Sequence, residues 1–65
     1  MVASIGALDR LQRSRQRVKQ LRALAEDCRN VARIIQYRPD QERMLELAQQ
    51  HDAEADQLEA AVLRV

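Results

Sequence analysis

Cys28 and His51 are the two side chains of this sequence that are candidates for reactive groups. A cysteine beside a histidine can act as a nucleophile with its general base, and both side chains bind zinc. The sequence offers no third group to orient the histidine, no glycine-rich turn, and only two of the four ligands that zinc requires. We therefore predict no catalytic residue, no metal site and no cofactor, we assign both side chains to packing, and we expect that the chain is not an enzyme.

Composition restricts the fold that could position any site. The 65 residues include one Gly, one Pro, one Tyr, one Cys and neither Phe nor Trp, whereas Ala, Leu, Gln, Glu and Arg, which favour helices, dominate. No run approaches the ~20 apolar residues of a membrane span. A single cysteine excludes an internal disulfide and indicates a reducing compartment. We expect one all-α domain in the cytoplasm, with no membrane or small-molecule partner. A domain of this size buries only about 60% of its unfolded surface, which favours a partner chain.

Pro39 is the one strong helix breaker in the sequence. Proline disfavours the α conformation in the preceding residue and fits well in the first turn of a new helix. We predict a first helix over about 7–37, a turn at about 38–40 and a second helix over about 40–64. Asp40 is an alternative cap for the second helix.

Small and large apolar residues alternate at heptad spacing in both predicted helices. Folding the chain at Pro39 into an antiparallel hairpin pairs large with large and small with small through six layers, from Ile35 opposite Met44 to Val18 opposite Val62. Such a register favours a coiled-coil-like hairpin. The predicted core within the hairpin consists of Leu21, Ala25, Cys28, Ala32, Ile35, Met44, Ala48, His51, Ala55, Leu58 and Val62.

Further apolar residues lie beside these layers or beyond their end. They broaden the apolar face to a width that suits a helix with two neighbours. The first helix is also longer than the second, so Ile5, Leu8 and Leu11 are predicted to overhang, which indicates a second chain that completes a four-helix bundle. A frayed N-terminus is the alternative. The predicted partner interface consists of Leu8, Leu11, Val18, Leu24, Val31, Leu45 and Leu47.

Charge is divided between the two predicted helices. The first 38 residues carry nine Arg or Lys and three Asp or Glu. The remaining 27 carry two Arg or Lys and seven Asp or Glu. The arginines at 15, 22 and 29 flank the core opposite Asp52 and Glu59, so the helices can neutralise each other. The alternative is a basic outer face that binds nucleic acid, for which no aromatic residue is present to stack on a base. The candidates for that face are Arg13, Lys19 and Arg33.

Two families share features with this hairpin. The alternating small and large layers, with the string Ala55-Asp56-Gln57-Leu58, resemble the Rop family of plasmid RNA-binding proteins, which form four-helix-bundle dimers. The stretch 21–29, the turn with Pro39 and the string Leu47-Ala48-Gln49-Gln50 resemble the small E-component co-chaperones of type III secretion needles. In that family a helical hairpin joins a helical-repeat chaperone and keeps the needle subunit from polymerising. The resemblance implies that the leucines beside the core form a docking face.

We therefore predict a non-enzymatic helical protein–protein interaction module. The most specific form of this prediction is a small co-chaperone or adaptor that sequesters a helical partner. We expect its partner to be a second copy of the chain, a different helix-rich protein, or both. The simplest assembly with a second copy is a homodimer. The alternative function is a Rop-like homodimeric regulator that binds RNA through the basic outer face of the first helix.

Overall fold

Two helices make up the hairpin. The computed structural model describes residues 2–64, with side chains described for residues 6–64. Helix α1 covers Val2–Ile34 and helix α2 covers Arg38–Leu63, and they pack side by side along a rod of 55 × 16 × 11 Å. The predicted all-α helical hairpin is confirmed.

The turn lies over residues 35–37, three residues earlier than predicted, because both helices have different limits. Helix α1 ends at Ile34, three residues before the predicted end, and α2 begins at Arg38, two residues before the predicted start. Tyr37, and not Asp40, is the residue that precedes the first turn of α2, with an extended backbone at φ −77° and ψ 113° and no capping bond from its side chain. Pro39 stands in the first turn, where a missing N–H costs nothing. Asp40 also lies in that turn, where its charge favours the helix dipole.

Gln41 explains where α1 ends. Its side-chain Nε2 donates a hydrogen bond of 2.9 Å to the backbone carbonyl of Ala32. In a continuing helix that carbonyl would accept the N–H of the residue four positions later, Gln36. The last carbonyls of a helix need such substitute donors. A side chain from the start of α2 therefore closes the last turn of α1 and ties the two helices together at the turn.

Gln41→Ala is expected to lower the free energy of unfolding by about 1 kcal/mol, because the Ala32 carbonyl loses its donor in a half-buried place. Urea denaturation followed by circular dichroism at 222 nm measures this difference. Gln49→Ala, an exposed glutamine of the same helix, is the matched control and should change stability by less than ~0.5 kcal/mol. Equal midpoints for the two variants would contradict the role given to Gln41.

The core of the hairpin is narrow. Five predicted core residues are 0–2% exposed, namely Leu21, Ala25, Ala32, Ala48 and Ala55. The other six are half-buried, namely Cys28, Ile35, Met44, His51, Leu58 and Val62. Four of the five buried side chains are methyl groups, which bury little apolar area, so the hairpin gains only modest stability from its own core.

The end of the hairpin opposite the turn is called the far end. Its packing differs from the prediction at Leu11. Leu11 was predicted to overhang, yet it is half-buried and lines a cleft together with Leu58 and Val62. Leu8 is 57% exposed, as a true overhang would be. The side chain of Ile5, also predicted to overhang, lies outside the described residues. Apolar surface therefore remains uncovered at the far end, beginning near Leu8.

Candidate protein-interaction surface

One side of the hairpin is closed by ion pairs between the helices. The guanidinium of Arg22 on α1 contacts three carboxylates of α2, at 3.3 Å to Asp52, 2.7 Å to Asp56 and 3.2 Å to Glu59. The predicted neutralisation of one helix by the other is thus present at Arg22. Asp56 was not foreseen in this role, although its position one helical turn after Asp52 places both on one face.

Arg29 extends the same cluster toward the turn. Its guanidinium contacts Asp52 at 2.8 Å and Glu26 of its own helix at 3.0 Å. The hydrogen bond from Arg29, with a second one from Arg22, lowers the pKa of Asp52 against the opposing effect of partial burial. Hydrogen bonds to Asp56, Glu59 and Asp52 raise the pKa of Arg22. This side, defined by Arg22, Arg29 and Asp52, is called the ion-paired flank.

We expect the ion-paired flank to make stability dependent on pH. The folded pKa of Asp52 lies below its unfolded value of about 3.9, so its contribution is complete at neutral pH and is lost as the pH falls from about 4 through the folded pKa. Thermal melts from pH 7 to pH 3 should show Asp52→Asn less stable than the parent at pH 7, with the gap closing below pH 4. Glu46→Gln, an exposed carboxylate of α2, should show no such gap. A gap for Asp52→Asn that stays constant with pH would contradict this account.

The opposite side of the core is apolar and open. Leu24 and Val31 of α1, seven residues apart on one face, are 41% and 44% exposed. Leu24 follows Arg22 by two residues, so the two side chains point about 200° apart around the helix. Leu47 of α2, half-buried, precedes Asp52 by five residues, so the two side chains point about 140° apart around α2, which places Leu47 on the side of Leu24. This side, defined by Leu24, Val31 and Leu47, is called the leucine flank.

The predicted partner interface divides between the two flanks. Leu45 precedes Asp52 by seven residues and therefore shares the ion-paired flank, about 200° around α2 from Leu47. Leu45 is 45% exposed there. Ile34, one helical turn after Val31 and 79% exposed, extends the apolar surface near the turn and was missed in the sequence. Its signal in the sequence is the three-residue spacing from Val31.

Two shallow clefts flank the core near the far end. One, of about 280 Å³, is lined by Arg15, Val18, Lys19, Glu59, Val62 and Leu63 and lies on the ion-paired flank. The other, of about 340 Å³, is lined by Ala7, Arg10, Leu11, Ser14, Leu58, Ala61 and Val62 and lies on the leucine flank. Val18, predicted at the partner interface, is half-buried and borders the first cleft opposite Val62, as the predicted register requires.

The three residues predicted to form a nucleic-acid face do not share one surface. Arg13 forms an ion pair with Asp9 on its own helix, and Arg33 donates a hydrogen bond of 3.3 Å to the Oδ1 of Asn30. Lys19 borders the cleft on the ion-paired flank. Helical geometry separates Arg13 from Lys19 by about 120° around α1.

Cys28 and His51 are both half-buried in the core layers. The Nδ1 atom of His51 is buried and has no hydrogen-bond partner among the described residues. The carboxylate of the neighbouring Asp52 accepts hydrogen bonds from Arg22 and Arg29. Within residues 2–64, no group of three or more His, Cys, Asp or Glu side chains is placed to hold a metal ion.

Two further findings bear on partners. Over the described residues, neither helix contains a stretch that is long and apolar enough to cross a bilayer. Comparison of the chain with protein-family models, with curated proteins and with solved structures finds no match.

Proposed function

We propose that this chain is a non-enzymatic helical interaction module that binds a helix of a protein partner along the leucine flank. The observation that carries the proposal is the exposure of Leu24 and Val31, 41% and 44%, directly beside a core made mostly of methyl groups. Apolar side chains next to a groove between two helices are the usual anchors for a third helix.

The physical basis is the narrow core. A partner helix on the leucine flank would cover Leu24, Val31 and Leu47 and remove their apolar surface from water, at roughly 25 cal/mol per Å². On the ion-paired flank the exposed Leu45 shares its face of α2 with Asp52, which Arg22 and Arg29 engage, so charged groups interrupt the apolar surface there. Binding of this kind would sequester a helix that otherwise self-assembles, which is the role expected of a small co-chaperone or adaptor.

Leu24→Asp is expected to reduce capture of helical ligands at least tenfold, since it places a charge at the centre of the leucine flank. The probe is a phage-displayed library of 21-residue helices with leucine at the a and d positions and all other positions randomised, selected on the immobilised full chain. Light scattering of the free chain reports whether a second copy is among the occupants.

Ala23→Asp is the matched control, because it introduces the same charge at an exposed position one residue away and about 100° around the helix. Circular dichroism checks that both variants fold. If the two variants capture the selected helices equally, the leucine flank is not the binding surface.

RNA binding in the manner of Rop is the alternative. It is favoured by Arg10, Arg15 and Arg17, for which no ion pair is found within the described part of the chain. Retention on immobilised RNA that falls steeply with salt, and that weakens in Arg13→Ala and Lys19→Ala, would support this alternative. An absence of retention at low salt would remove it.

A further inference from the structure

The leucine flank continues toward the far end with a different chemistry. Arg17 precedes Leu24 by seven residues and Arg10 precedes Arg17 by seven, so all three side chains lie on one face of α1. Arg10 lines the cleft of about 340 Å³ whose apolar walls include Leu11 and Leu58. On α2 the same flank carries the exposed Glu54, seven residues after Leu47 and seven before Ala61. The flank therefore forms one groove that is apolar near the turn, acidic at Glu54 in its middle and basic along α1 at the far end.

The basic residues of this groove differ from those of the ion-paired flank. Arg22 and Arg29 are engaged by carboxylates of α2 at 2.7–3.3 Å. No ion pair to Arg10 or Arg17 is found within the described residues. Opposite them, α2 presents Ala61, which carries no charge and borders the same cleft. Among residues 6–64, therefore, no carboxylate of the hairpin neutralises Arg10 or Arg17 through an ion pair.

We propose that the occupant of this groove is an amphipathic helix of a different protein, acidic at the end that lies over Arg10 and Arg17. The inference rests on the proposed function and adds the charge of the partner helix and the end of that helix at which the charge lies. The apolar stripe of the partner covers Leu24, Val31 and Leu47 and then enters the cleft beside Leu11. From Arg10 to Val31 the groove corresponds to 21 residues, or about 32 Å of helix.

A second copy of the chain fits this groove less well. Packed in parallel, it would bring its own Arg10 and Arg17 to the same place. Packed antiparallel, it would bring its turn, where Glu42 and Asp40 already contact Arg38 and Arg43 of their own helix, at 3.5 and 3.9 Å, and so supply no net negative charge. Like charges across an interface suppress binding. RNA would find the basic rim but would leave the apolar cleft and the leucine flank uncovered.

The test uses the same phage-displayed library of 21-residue helices, whose random positions carry no charge bias. Helices selected on the parent chain should be enriched in Asp and Glu in one half only. On the double variant Arg10→Glu/Arg17→Glu, the enrichment should change to Lys and Arg in that half. Acidic peptides from the first selection should bind the double variant about tenfold more weakly at low salt, and this difference should shrink in 0.5 M NaCl.

Arg33→Glu, an exposed arginine outside the groove, should select the same acidic helices as the parent. Helices with no charge bias, or a bias that persists in the double variant, would overturn the proposal while leaving the leucine-flank site standing, provided that Leu24→Asp still abolishes capture. Failure to select any helix would overturn both proposals. Selection of helices identical to α1 or α2 in charge pattern would identify a second copy as the occupant and would also overturn this inference.

Discussion

Leu21→Ala is expected to unfold much of the protein at 25 °C. Leu21 is 1% exposed and is the largest fully buried side chain of the described residues. Truncating a buried leucine costs about 2–5 kcal/mol, whereas a core of this size rarely supplies more than ~3–5 kcal/mol in total. Alanine favours helices more than leucine does, so the loss can be assigned to packing and not to helix propensity.

Circular dichroism at 222 nm during urea denaturation measures this effect. Leu63→Ala is the matched control, because Leu63 is 81% exposed, and its free energy of unfolding should lie within ~0.5 kcal/mol of the parent value. If Leu21→Ala were as stable as Leu63→Ala, the layer at Leu21 would not be the centre of the core.

Ala25→Glu is expected to be at least as damaging at neutral pH. Ala25 is 0% exposed and lies in the layer predicted to pair it with Ala55, which is also 0% exposed. A carboxylate there would lose its water without gaining a partner, which costs about 3 kcal/mol or more. Burial would raise the pKa of the new carboxyl, so the destabilisation relative to the parent should shrink as the pH falls and the group becomes neutral.

Ala23→Glu provides the comparison, since Ala23 is exposed on the same helix and the introduced side chain is identical. The difference between the two variants isolates burial from helix propensity and net charge. Equal stability of the two variants at pH 7 would show that the Ala25 layer admits water, and the register of the hairpin would have to be revised.

The heptad pattern was sufficient to predict the hairpin, the buried alanine layers and the opposition of Arg22 to Asp52 and Glu59. All of these depend on which residues share a helical face, and a fixed helical period determines that from spacing alone. The helix limits were less predictable. They depend on Gln41, whose side chain reaches back to the Ala32 carbonyl, and no propensity scale describes a bond made across a turn.

The interaction surface shows the same division. The sequence pattern predicts one apolar stripe, because each of its members lies next to a core position: Leu24, Val31, Leu45 and Leu47. The ion pairs of Arg22 and Arg29 with Asp52 identify one flank of the rod, and Leu45 shares that flank while the other three do not. Which apolar residues can serve one partner is therefore decided by the way two helices face each other.

The sequence by itself determined the fold class, the layers of small residues and the division of charge between the helices, because these follow from residue type and a period of 3.6. Only the tertiary structure determined which charged side chains already form ion pairs within the hairpin. Arg22 and Arg29 are engaged by α2, whereas Arg10 borders a cleft with Ala61 on the other flank, and within the described residues neither Arg10 nor Arg17 forms an ion pair. Exposed charges more than about 8–10 Å apart are largely screened at physiological salt, so neutralisation depends on the near neighbours of each side chain and not on the net charge of a helix.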